Sequence, residues 1–304
     1  MVTAAKCILT SQMKIRSLLI LFLLVTLQVL VAQKSKKTTA PEIREGVSQL
    51  ARYNLSESSP RQFILPKKVS EASGLTMTDD GRLFVHDDER AVVYQIDYSS
   101  GVIVKQFALG RFGVKGDFED IAVKGRTFYL VRSDGVLFEF PEGGDGQTVD
   151  FRTYETQLSA KNDVEGLVFD PSTDCLLLLC KASPGKNYHN VKAVYSFSLK
   201  TRVLVEKPRF LIPLDIVTKD SDGHQFLPSG IALNPKSKTF FIIAAHGSSI
   251  IEMSREGKIL AQQSINKKVN PHPEGIAFAP DLTLILCNDG QKDRGTITLY
   301  HMHQ

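Results

Sequence analysis

Ser73-Gly74-Leu75-Thr76-Met77 returns four times in altered spelling: Glu119-Asp120-Ile121-Ala122-Val123, Glu165-Gly166-Leu167-Val168-Phe169, Ser229-Gly230-Ile231-Ala232-Leu233 and Glu274-Gly275-Ile276-Ala277-Phe278. Each copy opens on Ser or Glu, usually continues with Gly, then turns apolar. Successive opening residues are 46, 46, 64 and 45 positions apart. A near-constant period in this range marks a repeat architecture.

Around each phrase stand short apolar runs punctuated by turn residues. In the first repeat Ser73–Met77 leads through Asp79-Asp80-Gly81 to Arg82–His86. Ala91–Asp97 then leads through Ser99-Ser100-Gly101 to Val102–Ala108. Gly and Asp between apolar runs are hairpin signals. The pattern continues with Arg126–Val131 and Gly135–Phe140, Cys175–Cys180 and Lys192–Leu199, Thr239–Ala244 and Ser248–Met253, then Leu282–Cys287 and Gly295–His301. Four-stranded units repeated every 45 or so residues predict an all-β fold, a five-bladed β-propeller over residues 61–304. The last repeat ends before its fourth strand, while a spare strand, Arg61–Pro66, precedes the first phrase. That N-terminal strand is expected to complete the fifth blade and close the ring, removing an exposed sheet edge. The third repeat is longer, through 182–191 and 215–225, which maps to loops.

Composition agrees with a folded domain: 42% apolar and 23% charged residues. The formal charge of +4 is uneven, because residues 1–37 hold six basic side chains and no acid, leaving −2 on the remainder. No basic surface for nucleic acid is expected. Lys14 and Arg16 precede an apolar run from Ser17 to Ala32, broken only by Thr26 and Gln28. Residues 1–33 therefore read as a signal peptide cut near Ala32, or as an uncleaved membrane anchor; the run is short for a span of about 20 residues. Met13 is an alternative start. The protein is expected to be exported, as a periplasmic, extracellular or membrane-tethered species that meets the membrane only through this segment. Residues 34–60 read as a polar linker with a possible short helix around 42–52 and a glycosylation-type triplet, Asn54-Leu55-Ser56. Cys175, Cys180 and Cys287 read as buried thiols rather than disulfides.

The innermost strand of each blade begins at one mouth of the channel, so the opening residues Ser73, Glu119, Glu165, Ser229 and Glu274 are expected in one ring. A second tier lies two positions earlier, at Glu71, Asp117, Asp163, Leu227 and His272. Crowded carboxylates either take up protons or hold a cation. An oxygen-only donor set favours Ca²⁺. The expected metal ligands are Glu71, Asp117, Glu119, Asp163, Glu165 and Glu274, with a water-filled acidic channel as the competing reading. Asp220-Ser221-Asp222-Gly223 begins like a calcium loop but lacks the closing Glu, Ile231 standing in its place, and reads as an exposed turn.

No nucleophile elbow, zinc-protease helix or phosphate-cradling glycine loop occurs. Polar residues after each second strand, His86, Asp87, Lys181, His246 and Asp289, form a candidate acid–base set at the same mouth. The competing reading makes them strand-end caps. His301 and His303 read as the end of the final strand.

The phrases Glu71-Ala72-Ser73-Gly74-Leu75, Asp117-Phe118-Glu119-Asp120-Ile121-Ala122, Asp163-Val164-Glu165-Gly166, Pro228-Ser229-Gly230-Ile231-Ala232 and Pro273-Glu274-Gly275-Ile276-Ala277 resemble the SdiA-regulated (YjiK-type) bacterial envelope proteins over about residues 60–302. They are more distantly similar to NHL-repeat propellers and to the esterase-like phytase family. The resemblance implies a five-bladed propeller with a Ca²⁺ site. Phe118 stands where these relatives often carry Trp. Ser73, Ser229 and Leu227 break the acidic tiers, which points to an off-axis ion near Glu119 and Glu165. The function expected is an exported Ca²⁺-binding module that takes an envelope ligand or protein. Its alternatives are a metal-assisted hydrolase of phosphate or carboxylic esters and a scaffold with an empty channel.

Overall fold

The computed structural model describes residues 47–217, 219–220, 222–291 and 293–303. The expected signal or anchor and most of the expected linker lie outside them. Among the described residues no helix is long and apolar enough to cross a membrane.

Five antiparallel sheets form five blades. Blade 1 runs outward through Ala72–Met77, Leu83–Asp87, Val92–Asp97 and Val102–Leu109, and blade 2 through Phe118–Lys124, Thr127–Arg132, Leu137–Pro141 and Arg152–Tyr154. Blade 3 uses Val164–Asp170, Cys175–Cys180 and Val191–Ser198, with an outer edge split into Val203–Leu204 and Phe210–Pro213. Blade 4 is Gly230–Leu233, Phe240–Ala244, Ser249–Met253 and Ile259–Ser264. Blade 5 is Pro273–Phe278, Leu284–Asn288 and Thr296–Tyr300, and its fourth strand is the N-terminal Arg61–Ile64, with Arg61 opposite Leu299 and Ile64 opposite Thr296. The first blade strand of the chain thus closes the last blade. The short strand Thr148–Val149 was not expected: it lies between the third and fourth strands of blade 2 and pairs parallel with Ala108 and Leu109 on the outer edge of blade 1.

The inner strands touch in cyclic order around the axis. Glycine at the second position of the phrase makes this approach possible. A Cβ on Gly230 would stand 2.6 Å from the Glu274 carbonyl oxygen of the next blade, and one on Gly275 would stand 2.8 Å from that of Ser73. Blade 2 has Asp120 at this place. Its carboxylate accepts the Leu167 N–H of the next blade at 2.7 Å, and its own Ile121 N–H at 2.8 Å.

The core is a set of wedges between neighbouring blades, the consequence of strands buried on both faces. Blades 1 and 2 are joined by aromatic rings, Phe84 edge-on to Phe128 at 4.9 Å and Phe107 to Phe128 at 6.1 Å, while Phe118 packs on Phe138 of its own blade at 5.3 Å. Phe118 is fully buried there, so the ring fills the wedge as a larger aromatic would. The three described cysteines are buried and free, and Cys175 and Cys180 sit in different wedges, as their odd spacing requires.

Residues 47–60 are not the free linker that their polarity suggested. A 3₁₀ turn, Leu50–Arg52, drops Leu50, Tyr53 and Leu55 into the wedge between blades 4 and 5, where each is at most 2% exposed. The buried Glu252 carboxylate accepts the N–H groups of Gln49 at 2.7 Å and Leu50 at 2.8 Å, and the Ser48 hydroxyl at 2.7 Å. Only three apolar residues in this stretch carry the contact, too few for a periodic signal.

Candidate functional site

Each inner strand enters the ring from one face, and each second strand returns to it. The loops that meet there carry the acidic residues. Glu119, Glu165 and Glu274 converge: Glu165 and Glu274 raise the proton affinity of Glu119, and Glu165 raises that of Glu274. Burial pushes the Glu119 carboxyl well above the usual range, with Glu165, Asp117 and Glu274 adding and Lys181 opposing. Burial also raises Glu165, although Lys181 pulls it back. Glu274 is pushed up to about 8 by burial, then by Asp289 and Glu165. The Lys181 ammonium stands 2.5 Å from Glu165 Oε1. Asp163 faces the Glu165–Lys181 pair, and its carbonyl accepts the Lys181 N–H at 2.7 Å.

A second, more open group lies on the blade 5–blade 1 side. Burial and then Glu89, Asp87 and Asp289 raise Glu71. Asp88 is pushed up to about 7 by burial first and Glu71 second. Its Oδ1 is buried and has no hydrogen-bond partner among the described residues. Asp88 was not among the expected ligands. The Asp-Asp pair after the second strand of blade 1 was the available signal, and only Asp87 was taken from it. Asp117 accepts the Ser133 hydroxyl at 2.6 Å.

One serine of the ring does other work. Ser229 is buried, donates to the Pro273 carbonyl of blade 5 at 2.7 Å, and accepts the Ala245 N–H at 3.0 Å. Leu227 meets His246 through the backbone, its N–H donating to the His246 carbonyl at 3.0 Å. The hub is therefore lopsided, as the broken tiers indicated.

The candidate acid–base set disperses. His86 is fully buried: its Nε2 accepts the Gly74 N–H at 3.0 Å, and its Nδ1 lies 3.0 Å from the Asp87 carbonyl. Burial lowers it to about 4, so it is a neutral core histidine with no route to substrate. Asp87 caps its loop through the Arg90 N–H at 2.9 Å. His246 is exposed and packs against His224, ring centroids 4.7 Å apart. Lys181 and Asp289 stand with the hub carboxylates, and Asp87 with Glu71 and Asp88 in the more open group.

Asp220, Asp222 and His224 offer ligand atoms within 4.8 Å of one another. The Lys267 ammonium already bridges the two acids, at 2.9 Å and 2.5 Å. Asp220 also accepts the N–H groups of Asp222 at 3.0 Å and His224 at 2.8 Å, which makes the segment a self-satisfied turn. The hub holds no triad of ligand atoms so closely spaced among the described residues.

At the other end the channel opens into a cavity of about 470 Å³ lined by all five inner strands, including Leu75, Ile121, Leu167, Ile231 and Ile276. The two mouths thus have opposite character.

No family model matches the chain, and no curated protein matches it. Solved structures do. A glutaminyl cyclase from Myxococcus xanthus superposes with a TM-score of 0.50 at 14% identity, covering 80% of this chain and 94% of that one. A luciferin-regenerating enzyme gives 0.49 at 12% identity, over 80% and 95%. A streptogramin B lyase gives 0.43 at 13% identity, over 79% and 97%. At these identities the likeness is one of β-propeller fold alone.

Proposed function

We propose that the acidic mouth is a Ca²⁺ site and that the protein is an exported ligand-binding or interaction module of the cell envelope, of the SdiA-regulated kind. The observation that carries this reading is the hub's charge balance. Glu71, Asp88, Asp117, Glu119, Asp163, Glu165, Glu274 and Asp289 gather at one mouth, and the cations that face them are fewer: Lys181 on Glu165, Lys192 toward Asp163 and Arg90 toward Glu71. The unpartnered Asp88 Oδ1 and the absence of thiolate from the set suit a hard cation. Among the described residues no three hub carboxylates offer ligand atoms within 4.8 Å of one another, so an ion there would keep several waters. Glu119 and Glu165 would hold it, with Asp117, Asp163 and Glu274 around them.

Calorimetry on chelated protein tests the reading. Ca²⁺ uptake with a rise in Tm is expected. Glu119→Gln/Glu165→Gln should abolish both while leaving the fold intact. A protein that takes up no Ca²⁺, with a Tm indifferent to chelator, would sink the proposal. In the enzyme reading the buried His86 is withdrawn as a base, which leaves Asp87, Lys181, His246 and Asp289 as the candidates. Turnover of a phosphoester, aryl ester or lactone panel in Ca²⁺, lost in His246→Ala, would favour that reading.

A further inference from the structure

On the same face as the hub, the loop joining blades 1 and 2 carries Arg111-Phe112-Gly113-Val114-Lys115. Phe112 is 96% exposed, against 64% for Ile64, the next most exposed large apolar side chain among the described residues. The loop is rigidly held. The Gly113 N–H donates to the Gly110 carbonyl at 3.1 Å, closing a turn in which both glycines have φ near +70°, at 69° and 73°. Its base is stitched to the neighbouring loop: Ala91 N–H to the Val114 carbonyl at 2.9 Å, Gly116 N–H to Glu89 at 3.1 Å, Phe118 N–H to Asp88 at 2.7 Å. Val114 packs into the wedge below. The fold therefore presents the Phe112 ring to solvent on a pinned tip.

The ring is flanked by cations. Arg111 and Lys115 are exposed, and Arg90 stands opposite Lys115 across a backbone bridge. Lys68 reaches Gln106 on the strand leading into the loop, at 3.4 Å. The exposed acids nearby are Glu89, Asp117 and Asp145, which accepts the Gln106 N–H, and the hub carboxylates lie further in on the same face. A protein interface is built around a cluster of buried anchors. A single protruding ring with long cationic side chains beside it suits a fluid interface instead, the ring entering the acyl boundary and the cations reaching phosphates. The apolar, basic-flanked run at 14–32 of the same chain is the expected signal or anchor, and as an uncleaved anchor it would bring the chain to a lipid surface.

We propose that loop 110–115 is a membrane-contacting finger: Phe112 enters the interface of an anionic bilayer while Arg90, Arg111 and Lys115 engage lipid phosphates. This adds a second membrane contact to the N-terminal segment, and it does not depend on the hub holding Ca²⁺.

The test uses the full chain with Cys7→Ser and Phe112→Cys, labelled with a polarity-sensitive fluorophore; Cys175, Cys180 and Cys287 are buried and stay unlabelled. Val203→Cys, on the outer edge of blade 3, is the control, since the N-terminal run alone brings every site near a bilayer. In chelator, vesicles of phosphatidylcholine with phosphatidylglycerol should shift the label at 112 to the blue and leave the label at 203 unchanged. Removing phosphatidylglycerol, or adding Arg111→Ser/Lys115→Ser, should weaken that response roughly tenfold or more. No shift at 112, an equal shift at 203, or a response indifferent to phosphatidylglycerol overturns the proposal. A shift produced by soluble polyglutamate but not by vesicles also overturns it and makes an acidic polypeptide the partner.

Discussion

Replacing Glu252 by Ala should loosen the wheel at its seam. Glu252 sits on the third strand of blade 4, fully buried, and its two oxygens accept four hydrogen bonds. Three come from the N-terminal strap at Ser48, Gln49 and Leu50, and the fourth from the Thr239 hydroxyl at 2.6 Å. The two backbone donors lie at the N-terminus of the 3₁₀ turn, where a carboxylate also meets the favourable end of the peptide dipoles. Alanine strands two buried N–H groups and opens a cavity. Each orphaned donor costs about 1–3 kcal/mol, so a total near 4 kcal/mol is expected. For a domain of this size that lowers Tm by roughly 8–16 °C. Glu252→Gln keeps a carbonyl oxygen toward the strap, and the Thr239 hydroxyl reverses to accept; its loss should be about 1–2 kcal/mol. Limited proteolysis supplies the second readout, because the strap must become cleavable between residues 47 and 57 in the Ala variant before the blades do. Wild-type Tm in Glu252→Ala, or a strap no easier to cut, refutes the argument that this carboxylate holds the seam.

Two further outcomes follow from the hub and the ring. Glu274 and Asp88 have folded-state affinities near 8 and 7, and Glu119 and Glu165 are also raised, so the native state binds more protons than the unfolded chain above about pH 4.5. Stability in chelator should therefore be highest near pH 5 and fall by roughly 5–10 °C in Tm toward pH 9, with saturating Ca²⁺ flattening the slope; a melting scan that rises over this range contradicts the buried-acid account. Gly275→Ala would place a Cβ 2.5 Å from Cys287 Sγ and 2.8 Å from the Ser73 carbonyl, and should cost about 1–3 kcal/mol in urea unfolding, more than the same change at the open Gly125, where Ala is strained by φ of 60° but meets nothing.

The wheel was legible because its signal is redundant. Five phrases at one period outweigh any single misread strand, and the missing last strand of blade 5 names its own replacement, Arg61–Ile64. The convergence of Glu119, Glu165 and Glu274 followed from the same symmetry, since equivalent positions on equivalent strands must meet at the axis. What escaped was whatever occurs once. The strap at Leu50, Tyr53 and Leu55 has no repeat partner, and its polar composition hides three anchors. His86 looked like a mouth residue because it ends a strand, but the bulge in blade 1 between Ala72 and Leu75 turns it under Gly74. Asp88 was passed over because adjacency in sequence does not say which of two carboxylates a loop buries.

The variations within the phrase show how one site grew lopsided on a symmetric frame. Its first position has two possible employments. A long acid reaches the axis, as Glu119, Glu165 and Glu274 do. A serine is too short to reach and instead ties its blade to the next, as Ser229 does through the Pro273 carbonyl. The second position divides in the same way. Glycine lets the next strand approach, whereas Asp120 makes the junction with its own carboxylate on Leu167. Blade 2 therefore carries acids at both positions, one toward the hub and one into the seam with blade 3. Lys181 of the long blade 3 pairs with Glu165 beside that seam. The departures from the repeat thus set the asymmetry of the mouth, and the repeat itself supplies the frame.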